Sequence, residues 1–247
     1  MTSLKEKHVF ICLQSIYFLY LQKNKTTCLS LGERRTGFTR REILKETGIA
    51  DSGNFSKMLD ALIASDFIES YVPFGEGKRN LRYKLSDMFC MFYLKFVDGK
   101  TNIDDNFWKF NVTSPAISIW RGFAFEEVCF RHITQIKQAL GILGVITSQS
   151  SWSLRGDDDI DGTQIDMLID RNDNVVNMCE MKFYNENFTI SKQYNSTIVH
   201  RLNVLSGMIP KRKSIHSTLI TTYGLTQNEY SGDFQQVITL DALFVES

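Results

Sequence analysis

Three charged residues have the types and the spacing that hydrolysis of a phosphate ester requires. Glu180 and Lys182 are two residues apart in a run that predicts a β-strand, so both side chains point to one face. Asp166 lies in the preceding predicted strand. If residues 172–174 form a three-residue loop, Asp166 lies directly across from Glu180. A loop of even length would instead place the two carboxylates on opposite faces.

Two carboxylates that close together repel each other unless a cation lies between them. Mg²⁺, with Mn²⁺ as its substitute, takes oxygen ligands and suits that position. The expected ligands are Asp166, Glu180 and the carbonyl of Met181, with Glu126 as an auxiliary ligand from an upstream helix. The metal would polarise a phosphate and lower the pKa of a bound water, which Lys182 would orient. The predicted site is that of a phosphodiester hydrolase.

Interpretations of the same residues that involve no catalytic site stay open. Glu180 and Lys182 also fit an ordinary ion pair on an exposed strand face, which would contribute little to stability. Glu127 competes with Glu126 as the helix carboxylate, although the pattern Gly-x-x-Phe-Glu favours Glu126. An acidic run at 157–159 is typical of a solvated loop.

The region before this site has the element order of a winged helix. A capping-box pattern at Thr39 predicts the start of a helix that Gly48 ends, and Ser52 starts a second helix. Two predicted strands, 67–72 and 81–85, flank a glycine-rich basic tip. The order helix, turn, helix, hairpin therefore predicts a helix-turn-helix followed by a wing.

Such a module offers polar side chains of its second helix to a DNA groove and basic side chains of its wing to phosphates. A winged helix used only for protein docking fits equally well, because Glu46, Asp51 and Glu76 dilute the basic charge. The candidate DNA-binding residues are Ser52, Asn54, Ser56, Lys57, Lys78, Arg79 and Arg82.

The remaining pattern is that of an α/β domain. An apolar stretch at 87–97 predicts a buried helix between domains, and 120–140 predicts one long helix. The other predicted elements are strands 165–170, 175–183, 217–223 and 236–240 and the helix 191–208.

The ordered set Glu126, Gln164-Ile165-Asp166 and Glu180-Met181-Lys182 resembles the PD-(D/E)XK nuclease signature. Together with the residues around it, at 120–126, 164–171, 179–184 and 221–224, this set resembles the C-terminal half of prokaryotic, archaeal-type STAND ATPases. The resemblance runs from about residue 31 to the end. It implies a winged helix followed by a restriction-endonuclease-like domain. Related nuclease folds often add a substrate contact from a helix, and the resemblance places Lys192 and Tyr194 at that position. No Gly-x-x-x-x-Gly-Lys-Ser/Thr motif occurs, so no ATPase activity is expected and the chain fits a fragment or rearranged relative.

The expected fold class is therefore α/β, with a winged helix followed by a PD-(D/E)XK-like α/β domain. The leading hypothesis is a Mg²⁺-dependent module that cleaves or binds DNA, which as an enzyme would be a deoxyribonuclease. The alternative is a catalytically inactive regulatory or adaptor segment of an ATPase. The expected boundaries are an atypical segment 1–30, a winged helix 31–97, a linker 98–114 and a nuclease-like domain 115–247.

Composition limits the partners and the compartment. The chain has 28 Lys and Arg against 28 Asp and Glu, which excludes a protein coated with basic charge but allows local patches. Five scattered cysteines without a Cys-x-x-Cys pair argue against disulfides and structural zinc, and favour the cytoplasm. The apolar run 9–21 is short for a membrane span and favours a buried helix over an export signal. DNA, an ATPase domain or another protein are the expected partners, without a membrane.

Overall fold

The structure is a computed structural model that describes residues 24–34, 36–99, 106–154, 156 and 162–246. The described chain is mixed α/β and forms two compact units. The first unit comprises the described residues up to Tyr71 together with Leu81–Phe107. The second comprises Val72–Asn80 and the described residues from Trp108 onward.

The first unit combines short helices with a small antiparallel sheet. The predicted capping box is present, because the Thr39 hydroxyl accepts from the Glu42 amide while the Glu42 carboxylate accepts from the Thr39 amide at 2.8 Å. Gly48, with φ 67°, ends that helix in the left-handed conformation that glycine tolerates. The elements are α1 Lys25–Gly32, β1 Phe38–Thr39, α2 Arg40–Thr47, α3 Gly53–Ala64, β2 Ile68–Tyr71, β3 Arg82–Leu85 and α4 Met88–Phe92.

The sheet of the first unit has the order β1-β3-β2, with β3 antiparallel to both neighbours. Its core brings helix and strand side chains together, among them Ile43, Leu59, Leu62 and Ile68. Helix α1 joins this core through Cys28 and Leu31, which are buried. This helix overlaps the end of the segment 1–30, in which the sequence predicted no specific element.

The second unit is built on one five-stranded sheet with helices before, between and after its strands. Helix α6 begins with Ser114 as its N-cap and Pro115 in its first turn. Helix α8 begins with Ser191 as its N-cap. The elements are α5 Phe107–Asn111, α6 Pro115–Arg131, α7 Ile133–Ala139, β4 Thr147–Leu154, β5 Thr163–Arg171, β6 Val175–Lys182, α8 Lys192–Met208, β7 Ser214–Thr221 and β8 Gln236–Thr239.

The strand order of this sheet is β4-β5-β6-β7-β8, so β6 is central. Strands β4, β5 and β6 are antiparallel, whereas β6, β7 and β8 are parallel and α8 connects β6 to β7. Successive side chains of β6 serve two cores. Met178 packs in the core that contains Ile198 of α8, and Cys179 packs in the core that contains Phe125 of α6. Helices α6 and α8 therefore cover opposite faces of the sheet.

Two predicted helices differ from the structure. The stretch 87–97 is not one α-helix, because α4 passes into a π-helical turn at Tyr93–Val97, and Phe89 is 59% exposed rather than buried. The stretch 120–140 is divided at His132 into α6 and α7. Apolar periodicity detected helix in both places, but a change of helical pitch or a one-residue break leaves that periodicity nearly intact.

The four described cysteines, Cys28, Cys90, Cys129 and Cys179, are free and buried. Burial raises the pKa of Cys129 and Cys179, and a hydrogen bond with Cys28 followed by burial raises the pKa of Cys90. Because the thiolate is the reactive form, we expect these thiols to resist iodoacetamide at pH 8 until urea unfolds the chain. Peptide mass mapping checks this, and rapid labelling of the native chain at these positions would contradict the packing.

Some expectations fall on residues outside the described ranges: the apolar run 9–21 and the acidic run 157–159. In the part of the chain that the structure describes, no helix combines the length and the apolar character that a membrane crossing needs.

Candidate functional site

The β5–β6 hairpin brings the predicted acidic residues together. The strand bounds leave the three-residue loop 172–174, and Asn174 takes φ 66°, which suits a three-residue hairpin. The register pairs Asp170 with Val176 and Met167 with Cys179. The paired residues end there, and Asp166, the preceding residue of β5, reaches β6 through the Met181 amide. The register predicted from a three-residue loop is confirmed.

Asp166 lies where the pairing of β5 with β4 changes register. Trp152 pairs with Ile165 and Ser150 with Leu168, so β5 has one extra residue between them. The Asp166 side chain is 4% exposed. Its Oδ2 accepts from the Met181 amide at 3.0 Å and from Lys182 Nζ at 3.4 Å. The irregularity therefore turns this carboxylate toward the end of β6.

Glu180 is fully buried in the central strand. Arg201 Nη1 donates to both Glu180 oxygens at 2.5 Å, and the Tyr194 hydroxyl donates to Oε2 at 2.6 Å. Lys182 Nζ lies 3.4 Å from the same Oε2. Since a glutamate is almost never buried without a partner, these donors are what allow a carboxylate in the middle of the sheet. We call Asp166, Glu180, Lys182, Tyr194 and Arg201 the acid-pair site.

Helix α8 delivers two of these residues. The Ser191 hydroxyl caps the helix by accepting from the Tyr194 amide at 3.2 Å, which fixes Tyr194 in the first turn. Arg201 follows seven residues later, two turns along the same face. Burial first, and then the charge of Glu180, raise the pKa of Tyr194, so its phenol stays protonated and donates.

The electrostatics of Arg201 favour its charged form. Burial of the guanidinium works to lower its pKa, but the charge of Glu180 and the hydrogen bonds to it outweigh burial, and the pKa of Arg201 is raised. Lys182 Nζ also lies 5.4 Å from the centre of the Tyr194 ring, within the range of a cation–π contact. The site is therefore an ion-paired cluster in which two carboxylates face two cations.

Arg201 was not among the sequence candidates. The signal was an arginine on the apolar stripe of a predicted helix, between Ile198 and Leu205, both of which are fully buried. Of the two helix residues that were considered as substrate contacts, Tyr194 lies in the site. Lys192 is exposed, one residue after the N-cap.

Glu126 lies on α6, the helix that covers the opposite face of the sheet from α8. It is half-buried, whereas its neighbour Glu127 is 6% exposed and bonds Arg131 Nε at 3.1 Å. Among the described residues, no three His, Cys, Asp or Glu side chains come together in a group that could hold a metal ion. The structure thus assembles Asp166, Glu180 and Lys182, but it does not gather Glu126 with them.

The residues present do not fit a Mg²⁺ site as they are arranged. Mg²⁺ needs near-octahedral oxygen ligands. Both oxygens of Glu180 already bond Arg201, and Oδ2 of Asp166 already takes the Met181 amide and Lys182. Two positive charges also balance the two carboxylates. The side chains of Lys182 and Arg201 therefore lie beside the carboxylates, where the metal was expected.

Two buried polar atoms near the acid pair lack a hydrogen-bond partner among the described residues, namely Thr221 Oγ1 and Arg201 Nε. Thr221 is fully buried and pairs in register with Lys182 on the neighbouring strand. Unpaired buried polar atoms are uncommon in folded proteins and cost stability. Their presence here indicates a site that is not optimised for stability alone.

The residues expected to contact DNA divide by exposure. Ser52, Asn54 and Lys57 are exposed at the start of α3, and Ser56 is half-buried. The Ser52 hydroxyl is also the N-cap of α3, because it accepts from the Phe55 amide at 3.3 Å.

The basic candidates of the hairpin divide in the same way. Lys78 and Arg79 are exposed in a short helical turn, Lys78–Asn80. Arg82 is half-buried in the central strand β3, between Thr39 and Tyr71. Lys78 and Arg79 are therefore the more accessible of the expected phosphate contacts.

No protein-family model matches the chain, and neither does any curated protein. One solved structure that is similar to part of the chain is the crystal structure of a protein of unknown function, AF1548. The TM-score is 0.34 at 14% sequence identity. The similarity covers 47% of this chain and 64% of that one. The matched region thus spans less than two thirds of AF1548.

Proposed function

We propose that this chain is a DNA-binding module in which a winged-helix-like first unit precedes a nuclease-like second unit. The observation that carries the proposal is the position of Lys182 Nζ, 3.4 Å from both Asp166 Oδ2 and Glu180 Oε2. This is the acid, acid and lysine set of the PD-(D/E)XK signature that the sequence resembles. A charged cluster of this kind on an otherwise apolar sheet face is a candidate for function rather than for stability.

The acid pair is neutralised by Lys182 and Arg201, so the geometry favours binding over cleavage. The proposed module is therefore catalytically inactive and regulatory. The resemblance implies an ATPase domain as one of its partners. Metal-dependent DNA cleavage is the second candidate, favoured by the presence of the complete acid, acid and lysine set.

A plasmid-nicking assay with Mg²⁺ or Mn²⁺ separates these two candidates. For the binding module we expect the parent chain to nick no faster than Asp166→Ala and Lys182→Ala. Nicking by the parent chain that both substitutions abolish would establish the second candidate instead, since each substitution removes a different member of the set.

Binding itself is expected to depend on the exposed basic residues of the hairpin. Lys78 and Arg79 are exposed, form no ion pair among the described residues and suit contacts with phosphates. We expect Lys78→Ala/Arg79→Ala to weaken binding to a fluorescein-labelled duplex. The slope of log K against log salt should fall in magnitude by about 2, one unit for each lost phosphate contact. Fluorescence anisotropy at several salt concentrations measures both quantities.

The matched control is Lys109→Ala/Lys137→Ala, which removes the same charge from two helices outside the hairpin. It should leave the salt slope unchanged. Equal losses in both double variants would show that only net charge matters. If the parent chain does not bind DNA at all, the DNA proposal is wrong.

A further inference from the structure

We infer that Arg201 takes the place of a divalent cation in the acid-pair site, and that its removal would turn the site into one that binds such a cation. Arg201 is thus the residue that decides the metal specificity of the site. The inference uses only the side chains around Asp166 and Glu180. It does not depend on whether the chain binds DNA.

The hydrogen-bonding capacity of Glu180 is full. A carboxylate offers about four lone-pair positions on its two oxygens. Arg201 Nη1 uses one on each oxygen, the Tyr194 hydroxyl uses another on Oε2, and Lys182 approaches the same oxygen. A metal ion would have to displace at least one of these donors before Glu180 became a ligand.

Charge opposes the metal as well. Asp166 and Glu180 contribute two negative charges, and Lys182 and Arg201 contribute two positive ones, so the net charge of the cluster is zero. A divalent ion entering beside Arg201 would meet a fixed positive charge at close range in a buried site, where such repulsion is strong. Without Arg201 the cluster would carry one net negative charge, and Glu180 would regain free lone pairs.

Arg201 is also held in place by the fold. Ile198 and Leu205, one turn to either side on α8, are fully buried against the sheet. The guanidinium side chain is 17% exposed, and its Nε is buried. The helix therefore positions the base of the side chain beside the sheet, and the bonds to Glu180 hold its guanidinium.

The test is a calorimetric titration of the full chain with Mn²⁺ alone. The parent chain should show no saturable binding. Arg201→Met keeps an unbranched apolar stem, shortens the side chain and removes the charge. This variant should bind one Mn²⁺ per chain at least about tenfold more tightly than the parent chain does, because a neighbouring like charge shifts ionic equilibria by at least this factor. The gain should disappear in Arg201→Met/Glu180→Gln.

The matched control is Arg131→Met, which takes an arginine from another buried glutamate, Glu127. Among the described residues, Glu127 is shown paired with Arg131 and lies in no group of three His, Cys, Asp or Glu that could hold a metal ion, so no Mn²⁺ binding should appear. If Arg201→Met folds poorly, its melting temperature should still rise with Mn²⁺ while that of the parent does not. Arg201→Gln provides a second neutral variant.

Two results would overturn the inference. One is stoichiometric Mn²⁺ binding by the parent chain that Glu180→Gln abolishes. The other is the absence of any Mn²⁺ binding or thermal shift in both neutral Arg201 variants. DNA binding by the parent chain is measured separately, so the failure of one proposal leaves the other intact.

Discussion

Replacement of Glu180 by alanine is expected to lower the free energy of unfolding of the second unit by about 3–5 kcal/mol. The reason is the state of Arg201 rather than the volume that is lost. Its side chain is 17% exposed and its hydrogen bonds from Nη1 go to Glu180. Without Glu180 the guanidinium would remain largely buried without its counterion, which costs more than the pair contributes.

Tryptophan fluorescence during urea unfolding measures this change selectively. All three tryptophans, Trp108, Trp120 and Trp152, belong to the second unit, and Trp152 is buried in the core beneath α8. The first unit contributes no tryptophan signal. The fluorescence midpoint therefore reports the stability of the unit that contains the acid-pair site.

Two control variants test whether the loss comes from the unpaired Arg201. Glu127→Ala removes another buried glutamate, but its partner Arg131 is 53% exposed and can be solvated, so the loss should be much smaller. The double variant Glu180→Gln/Arg201→Met removes both charges. Its loss of unfolding free energy should be about 1–3 kcal/mol smaller than the summed losses of the single variants Glu180→Gln and Arg201→Met. Additive losses would show that the two side chains do not act as a pair.

The core of the site was predictable because it depends on local geometry. Glu180 and Lys182 share a face through the two-residue period of a strand, and the three-residue loop 172–174 sets the register that brings β5 up to Met167 alongside the end of β6, next to which Asp166 contacts Met181 and Lys182. Asn174 takes the left-handed conformation in this loop, which asparagine tolerates better than most residues. Each step involves residues fewer than about ten positions from the loop.

Arg201 could not be placed in the same way. It meets Glu180 across 21 residues, through a loop and a helix whose rotation over the sheet is set by the packing of Ile198 and Leu205. The same limit applies to the extra residue at Asp166, which arises from pairing with β4 and not with β6. Periodicity identifies which face of a helix is apolar, but it does not say which strand residue that face meets.

The first unit shows the same division between short-range features, which were predictable, and packing, which was not. The capping box at Thr39 and the left-handed Gly48 were predictable because each is a short-range signature. Helix α1 was not predicted, since its buried residues Cys28 and Leu31 give only a weak amphipathic pattern. Packing against the rest of the unit, rather than its own sequence, makes this segment part of the fold.

Gly37→Ala is expected to be the most damaging single-methyl change in the first unit. Gly37 has φ 61°, and a Cβ at this position would lie 2.4 Å from the Tyr83 carbonyl oxygen. The left-handed conformation alone costs an alanine about 1–2 kcal/mol. The neighbouring atom is backbone of the central strand β3 and cannot rotate away, so overpacking adds to this strain. We expect a total loss of about 3 kcal/mol or more.

A glycine series in the same unit separates the two causes. Gly48 has φ 67° with open space around its Cβ position, so Gly48→Ala should show the conformational cost of about 1–2 kcal/mol alone. Gly53 has neither a positive φ nor a close neighbour, and it begins α3, so Gly53→Ala should be neutral or slightly stabilising. Far-UV circular dichroism follows the unfolding of all three variants. A Gly37→Ala loss no larger than that of Gly48→Ala would mean that β1 and β3 can separate at Tyr83 without cost, which the pairing of Phe38 with Tyr83 argues against.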